Sequence, residues 1–167
     1  MGLSDWTDEF DKASSGNRSE YMKAGNYYLR IDLVKEGKNQ KKIDNFKVEG
    51  TIIHKLDPSG EQNVGQSVCD MYSAVSQFYA SELKGLAAGI SGKSSDQVKM
   101  SDLIAISGDS QPLKGVVVEY LCYDKDTKNG GKITKKICKG VVAPNTIKET
   151  LSEDSLSRFG SSLKLIG

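Results

Sequence analysis

Two lysine clusters are the residues best placed to do chemistry. Lys35, Lys38, Lys41 and Lys42 form one, and Lys125, Lys128, Lys132, Lys135, Lys136 and Lys139 form the other. Ammonium groups at this density neutralise phosphates and release counterions, which gives affinity without sequence information. Either cluster alone reads as a solvated hairpin tip whose charge discourages edge pairing. Two clusters on two hairpins bring in a second reading, a surface for a polyanion. A single strand also needs aromatic platforms, since stacked bases contribute roughly 1–3 kcal/mol each. Tyr28, beside Arg30 on the same strand face, is one candidate, and Tyr120 and Tyr123 are others. Tyr120 and Tyr123 fall on opposite faces, so one of them belongs to the core. Tyr27 and Phe46 are core by alternation, and Phe78 and Tyr79 are expected to pack inside as helix aromatics.

Most enzymatic chemistry is excluded by what is missing. His54 is the only histidine, and it lies within a strand pattern with no nucleophile motif nearby. Gly92-Lys93-Ser94 imitates the end of a P-loop, but Ala87 stands where the first glycine belongs, and a helix precedes it. The acidic residues are scattered. Cys69, Cys122 and Cys138 make an odd count with no CxxC, so neither a disulfide framework nor a zinc site is expected. No catalysis, cofactor or metal is therefore expected. The net charge is +1, so any nucleic-acid role must come from local clustering. The opening MGLSDWTDEF has no apolar run, and no segment is apolar enough to span a membrane, so a cytosolic chain is expected.

The elements that would position these residues follow from periodicity. Tyr27–Val34 alternates, with Tyr27, Leu29, Ile31 and Leu33 on one face; Phe46–Leu56 alternates too, and Glu36–Asn45 joins the two as a hairpin. Val64–Cys69 reads as a short strand. Met71–Ala88 reads as a helix closed by Gly89 and Gly92, and Ser101–Ser107 as a shorter one. Val116–Tyr123 and Ile133–Val142 form a second hairpin around Asn129-Gly130-Gly131. Symmetry about Gly130 would set Cys122 opposite Cys138. A helix over Ile147–Phe159 is expected near the end. The organisation is a flexible arm over 1–20, a domain over 21–145 and a partly helical tail over 146–167. The order suits a mainly β fold with α, an OB-like five-stranded barrel with a central helix between strands 3 and 4, whose hairpin loops bind oligonucleotides. An α+β sandwich fits the same order.

The segments AGNYYLRID, VGQSVCDMYSAVSQFYASELKGLAAGISG, QPLKGVVVEY and KITKKICKGVV, spanning residues 21–145, resemble bacteriophage single-stranded-DNA-binding proteins of OB-fold type. The resemblance implies sequence-tolerant binding of single-stranded DNA in phage replication or recombination, inside an infected bacterium, by a monomer or homodimer. Phage replication or recombination proteins would be its partners. It carries over to Tyr28, Arg30 and the hairpin lysines as a general surface. Members with an acidic tail recruit partners through it, whereas this chain ends ETLSEDSLSRFGSSLKLIG, mixed in charge and apolar at the last residues. Stacking and phosphate contacts serve RNA equally. The rival readings are a protein-interaction module that binds a host or replication protein, and a self-assembling structural protein.

Overall fold

Alternation of apolar and polar residues builds six strands into one sheet, seen in a computed structural model that describes residues 19–165. The strands are β1 (Glu20–Tyr21), β2 (Gly25–Lys38), β3 (Asp44–Lys55), β4 (Ser67–Ser73), β5 (Val117–Asp126) and β6 (Lys132–Val141). Their order is β1-β4-β3-β2-β5-β6, with β1 parallel to β4 and every other pair antiparallel. The mixed sheet curls into a half-barrel. Much of the bend lies in β2, whose register with β3 shifts at Tyr28/Leu29 and again at Ile31/Leu33.

The inside of the curl is the main core. Tyr27, Leu29, Ile31 and Val34 of β2 meet Phe46, Val48 and Ile52 of β3 and Val118 and Tyr120 of β5. Helices α1 (Tyr79–Ser91) and α2 (Met100–Ser107) fill the concavity with Leu83, Leu86 and Leu103. The outer face carries a second core. There α3 (Pro144–Thr150) and α4 (Glu153–Phe159) bring Ile147, Leu151 and Phe159 onto Tyr28, Ile53 and Val117.

Strands β4 and β6, brought near one another by the curl, share no backbone ladder. Helix α1 lies against this seam. A Cβ on Gly89 would fall 2.2 Å from the carbonyl oxygen of Cys138, so only glycine lets the helix approach β6 this closely.

Several expectations are corrected. The sheet has six strands rather than five, because β1 adds in parallel to β4. The connection between β4 and β5 carries two α-helices, α1 and α2, rather than one central helix. Met71 and Tyr72 extend β4, where Phe46 and Lys47 pair with them, so helix α1 begins only at Tyr79. Phe78 therefore sits exposed just before the helix instead of in the core. The bulge after Ile31 resets the alternation, so Val34 is buried and Leu33 is not. The single C-terminal helix is two, separated by Leu151 and Ser152. Residues read as a tail from 146 cover a sheet face. The real register pairs Cys122 with Lys136 and Cys138 with Tyr120, so the two cysteines are not opposite one another. Of the 1–20 arm, residues 1–18, with Trp6 and Phe10, lie outside the described residues, while Glu20 starts β1.

Two glycines of α1 give opposite predictions. Gly89→Ala should destabilise the fold by about 1–3 kcal/mol through overpacking against Cys138. Gly85→Ala, where a Cβ meets nothing within 4 Å, should stabilise it by roughly 0.5–1 kcal/mol through helix propensity. Urea unfolding of both variants checks the pair; a Gly89→Ala protein as stable as wild type would mean that α1 is not seated on β6.

Candidate nucleic-acid interface

The expected floor of the binding groove is closed. Tyr28 is only 5% exposed, beneath α3 and α4, with its ring 5.6 Å from that of His54. Tyr120 is 0% exposed and points into the core. Neither can stack a base in this arrangement. Arg30 is committed to structure. Its Nε donates to Asp32 Oδ1 at 2.9 Å, Nη2 to Thr51 Oγ1 at 3.0 Å and Nη1 to Ser162 Oγ at 2.9 Å, and its guanidinium faces the Phe159 ring. These bonds clamp the C-terminal segment to β2 and leave little for a phosphate.

Register also separates the two lysine clusters. Lys38 pairs with Asp44 at one end of β2, while Gly25 at the other end pairs with Cys122. The hairpin tips thus lie off opposite ends of a strand about 40 Å long at ~3.3 Å per residue. At the first tip, the Asn39 side chain accepts from the Lys41 and Ile43 amides, and Lys42 takes a left-handed φ of 62°. Lys38 is paired with Asp44 at 2.7 Å, an exposed ion pair of small energetic weight. Lys35 faces Lys47 across the ladder.

The second hairpin retains more of the expected surface. From Glu119 to Lys139 it carries six lysines against three carboxylates. Its turn is closed by Thr127 and Gly131. Leu121, Tyr123 and Lys125 of β5 lie opposite Ile137, Lys135 and Ile133 of β6 on the outer face. Tyr123 is 44% exposed. Among the described residues, Lys125, Lys128, Lys132 and Lys135 have no carboxylate within ion-pair distance, and Lys139 makes only a loose contact of 3.8 Å with Glu119. Lys135 and Lys136, adjacent in sequence, project to opposite faces.

Lys136 belongs to the seam. Its ammonium is 3.6 Å from Asp70 Oδ1 of β4 and 5.9 Å from the Tyr21 ring. Tyr21 is 64% exposed, and Gln62 fixes its strand by donating from Nε2 to the Tyr21 carbonyl and accepting from the Lys23 amide. The sequence pattern hides this tyrosine because it stands at the edge of a segment that reads as an arm. Its one signal is an aromatic next to the apolar Met22. Asp70 itself is fully buried. Its Oδ2 accepts from the hydroxyls of Tyr72 at 2.5 Å and Tyr120 at 2.9 Å. Burial raises its pKa above the ordinary carboxylate value, against the opposing pull of Lys136 and the two tyrosines. Burial also pushes the Cys122 and Cys138 thiols up to about 12, so neither is a thiolate near neutrality. Desolvation lowers the His54 pKa, which suits a neutral packing role. Among the described residues no group of His, Cys, Asp or Glu is arranged to hold a metal ion, and no helix is long and apolar enough to cross a membrane.

No protein-family model matches the sequence, and no curated protein matches it.

Asp70 gives a pH prediction. The folded carboxyl holds its proton more tightly than the unfolded one, whose pKa is 3.8. The stability linked to that proton is complete below 3.8 and is lost as pH rises through the folded value. Subtracting the stability curve of Asp70→Asn from that of wild type should reveal a fall over this window. Parallel curves would mean that Asp70 titrates as it does in the unfolded chain.

Proposed function

We propose that this chain binds single-stranded nucleic acid without catalysis, through the β5–β6 ribbon and the adjoining β1 edge. One observation carries this: on each side of β6 an exposed tyrosine stands beside a ribbon lysine. Tyr123 lies across from Lys135, and Tyr21 lies against Lys136. Aromatic faces next to ammonium groups are what a sequence-tolerant strand binder uses, bases stacking while phosphates are tracked. The ribbon's excess of lysine supplies the field that the near-neutral chain lacks as a whole.

Strand connectivity supports an OB-like reading of the fold. Strands β2, β3 and β4 run as a meander, helices follow, and β5 returns to the free side of β2 before β6. We take the half-barrel as such a barrel left open at the β4–β6 seam, with β1 added. The resemblance to phage single-stranded-DNA-binding proteins would set this activity in phage DNA replication or recombination, in the cytoplasm of an infected bacterium.

A second reading has its own observation. Met100 and Ile104 are exposed apolar residues lining a cleft of about 540 Å³ between the β2–β3 end and helices α1 and α2. Apolar exposure of this kind suits a protein partner.

Fluorescence anisotropy with oligo-dT separates the two. Affinity should fall steeply with salt, and Lys125→Ala/Lys135→Ala/Lys139→Ala should lower the log–log slope by roughly 0.7 for each phosphate no longer neutralised. Tyr123→Ala and Tyr21→Ala should each weaken binding about tenfold or more, while Lys41→Ala/Lys42→Ala changes little. Undetectable or salt-independent binding would sink the proposal in favour of the cleft.

A further inference from the structure

We propose that the seam between β4 and β6 takes one nucleobase of a bound strand. This rests on the single-strand reading above and adds to its stacking tyrosines a pocket that holds one base by its edge. A cavity of about 350 Å³ opens at the seam, a size found for small-ligand sites, which run ~300–1,000 Å³. Met71, Tyr72 and Leu86 give it apolar walls, and Asp70 and Lys136 give it polar ones.

The groups facing it are incompletely bonded. Asp70 is fully buried, and its Oδ1 has no hydrogen-bond partner. The nearest cation, the Lys136 ammonium, stands 3.6 Å off, outside hydrogen-bond range, and makes no other hydrogen bond among the described residues. An acceptor without a donor and an ammonium without an acceptor therefore border one space. The Tyr72 and Tyr120 hydroxyls hold the carboxylate from behind. Helix α1 turns Gly85 to the same space, and a Cβ there would meet nothing within 4 Å.

A nucleobase supplies what this site lacks. Its flat ring fits the apolar walls, and its carbonyl or ring nitrogen accepts from Lys136. An adjacent N–H is available to Asp70 Oδ1 when the ammonium turns toward the base. A phosphate fits less well, since it brings a second anion against Asp70. Lys136 and Asp70 are then both base-contacting residues, the ammonium donating and the Oδ1 accepting. The site is continuous with the ribbon, because Ile133, Lys135 and Ile137 border the cavity and also stand on the ribbon's outer face.

Anisotropy titrations with oligo-dT and with an abasic strand of equal length separate base from phosphate. Wild type should prefer the dT strand. Gly85→Leu, which fills the cavity, should keep the circular dichroism spectrum and the abasic affinity of wild type while cutting the dT preference about tenfold. Should that variant misfold, Asp70→Asn/Lys136→Met, which removes both charges together, serves in its place with the same expected loss. A folded variant with the full wild-type preference overturns the base site and leaves the lysine and tyrosine surface standing; a wild type that binds both strands equally overturns the base site and the tyrosine stacking together, leaving phosphate binding alone. Failure of wild type to bind either strand overturns the single-strand proposal and this one with it.

Discussion

The Asp70 carboxylate is buried where three strands of an unclosed sheet come together. It sits on β4, receives hydroxyls from Tyr72 on its own strand and Tyr120 on β5, and faces the Lys136 ammonium on β6. A closed barrel would join its end strands by a backbone ladder. Here the seam is spanned by side chains and by helix α1, seated on β6 through Gly89. Burying a charge between strands is costly unless donors surround it, which is why two tyrosine hydroxyls converge on one oxygen. The cost that remains shows in the raised pKa of Asp70. Removing one partner would leave the other buried and unpaired.

The same constraint shapes the surface. Lys136 is drawn into the seam, and Tyr21 lies over it, so an exposed aromatic is held beside a cation. On the far side of β6, Tyr123 and Lys135 are set opposite each other by the ladder alone. Meanwhile α3 and α4 cover the sheet face that holds Tyr28, and Arg30 bolts their end in place. The face left open is the ribbon, and under the proposed function it is the ribbon that meets the strand.

Much of the architecture is legible in the sequence because it is periodic. Both hairpins, the turn at Asn129-Gly130-Gly131, helix α2 and the Gly92 cap of α1 follow from alternation, turn residues and caps, whereas Gly89, expected to close the helix after Ala88, lies inside it. What fails does so for local reasons. Met71 and Tyr72 fit a helical spacing, yet pairing with β3 holds them in β4, a tertiary effect that a window of sequence does not carry. The bulge in β2 exchanges Leu33 for Val34 in the core. The site is harder to read. Tyr28 and Arg30 have the residue types of a binding floor, but whether a strand face is open depends on where α3 and α4 dock. Lysine clustering is visible in the sequence. The separation of the two clusters along β2 requires the register. Tyr21 escapes notice because a two-residue parallel strand leaves almost no pattern.

Amide hydrogen exchange with and without a saturating dT oligomer maps the interface without mutation. If the ribbon is the binding surface, new protection falls on Leu121–Lys125, Ile133–Lys139 and the β1 edge at Tyr21. The Asn39–Ile43 turn and the strands under α3 and α4 should remain unchanged. Protection confined to that turn, or to the region of Tyr28 and Arg30, would contradict the account.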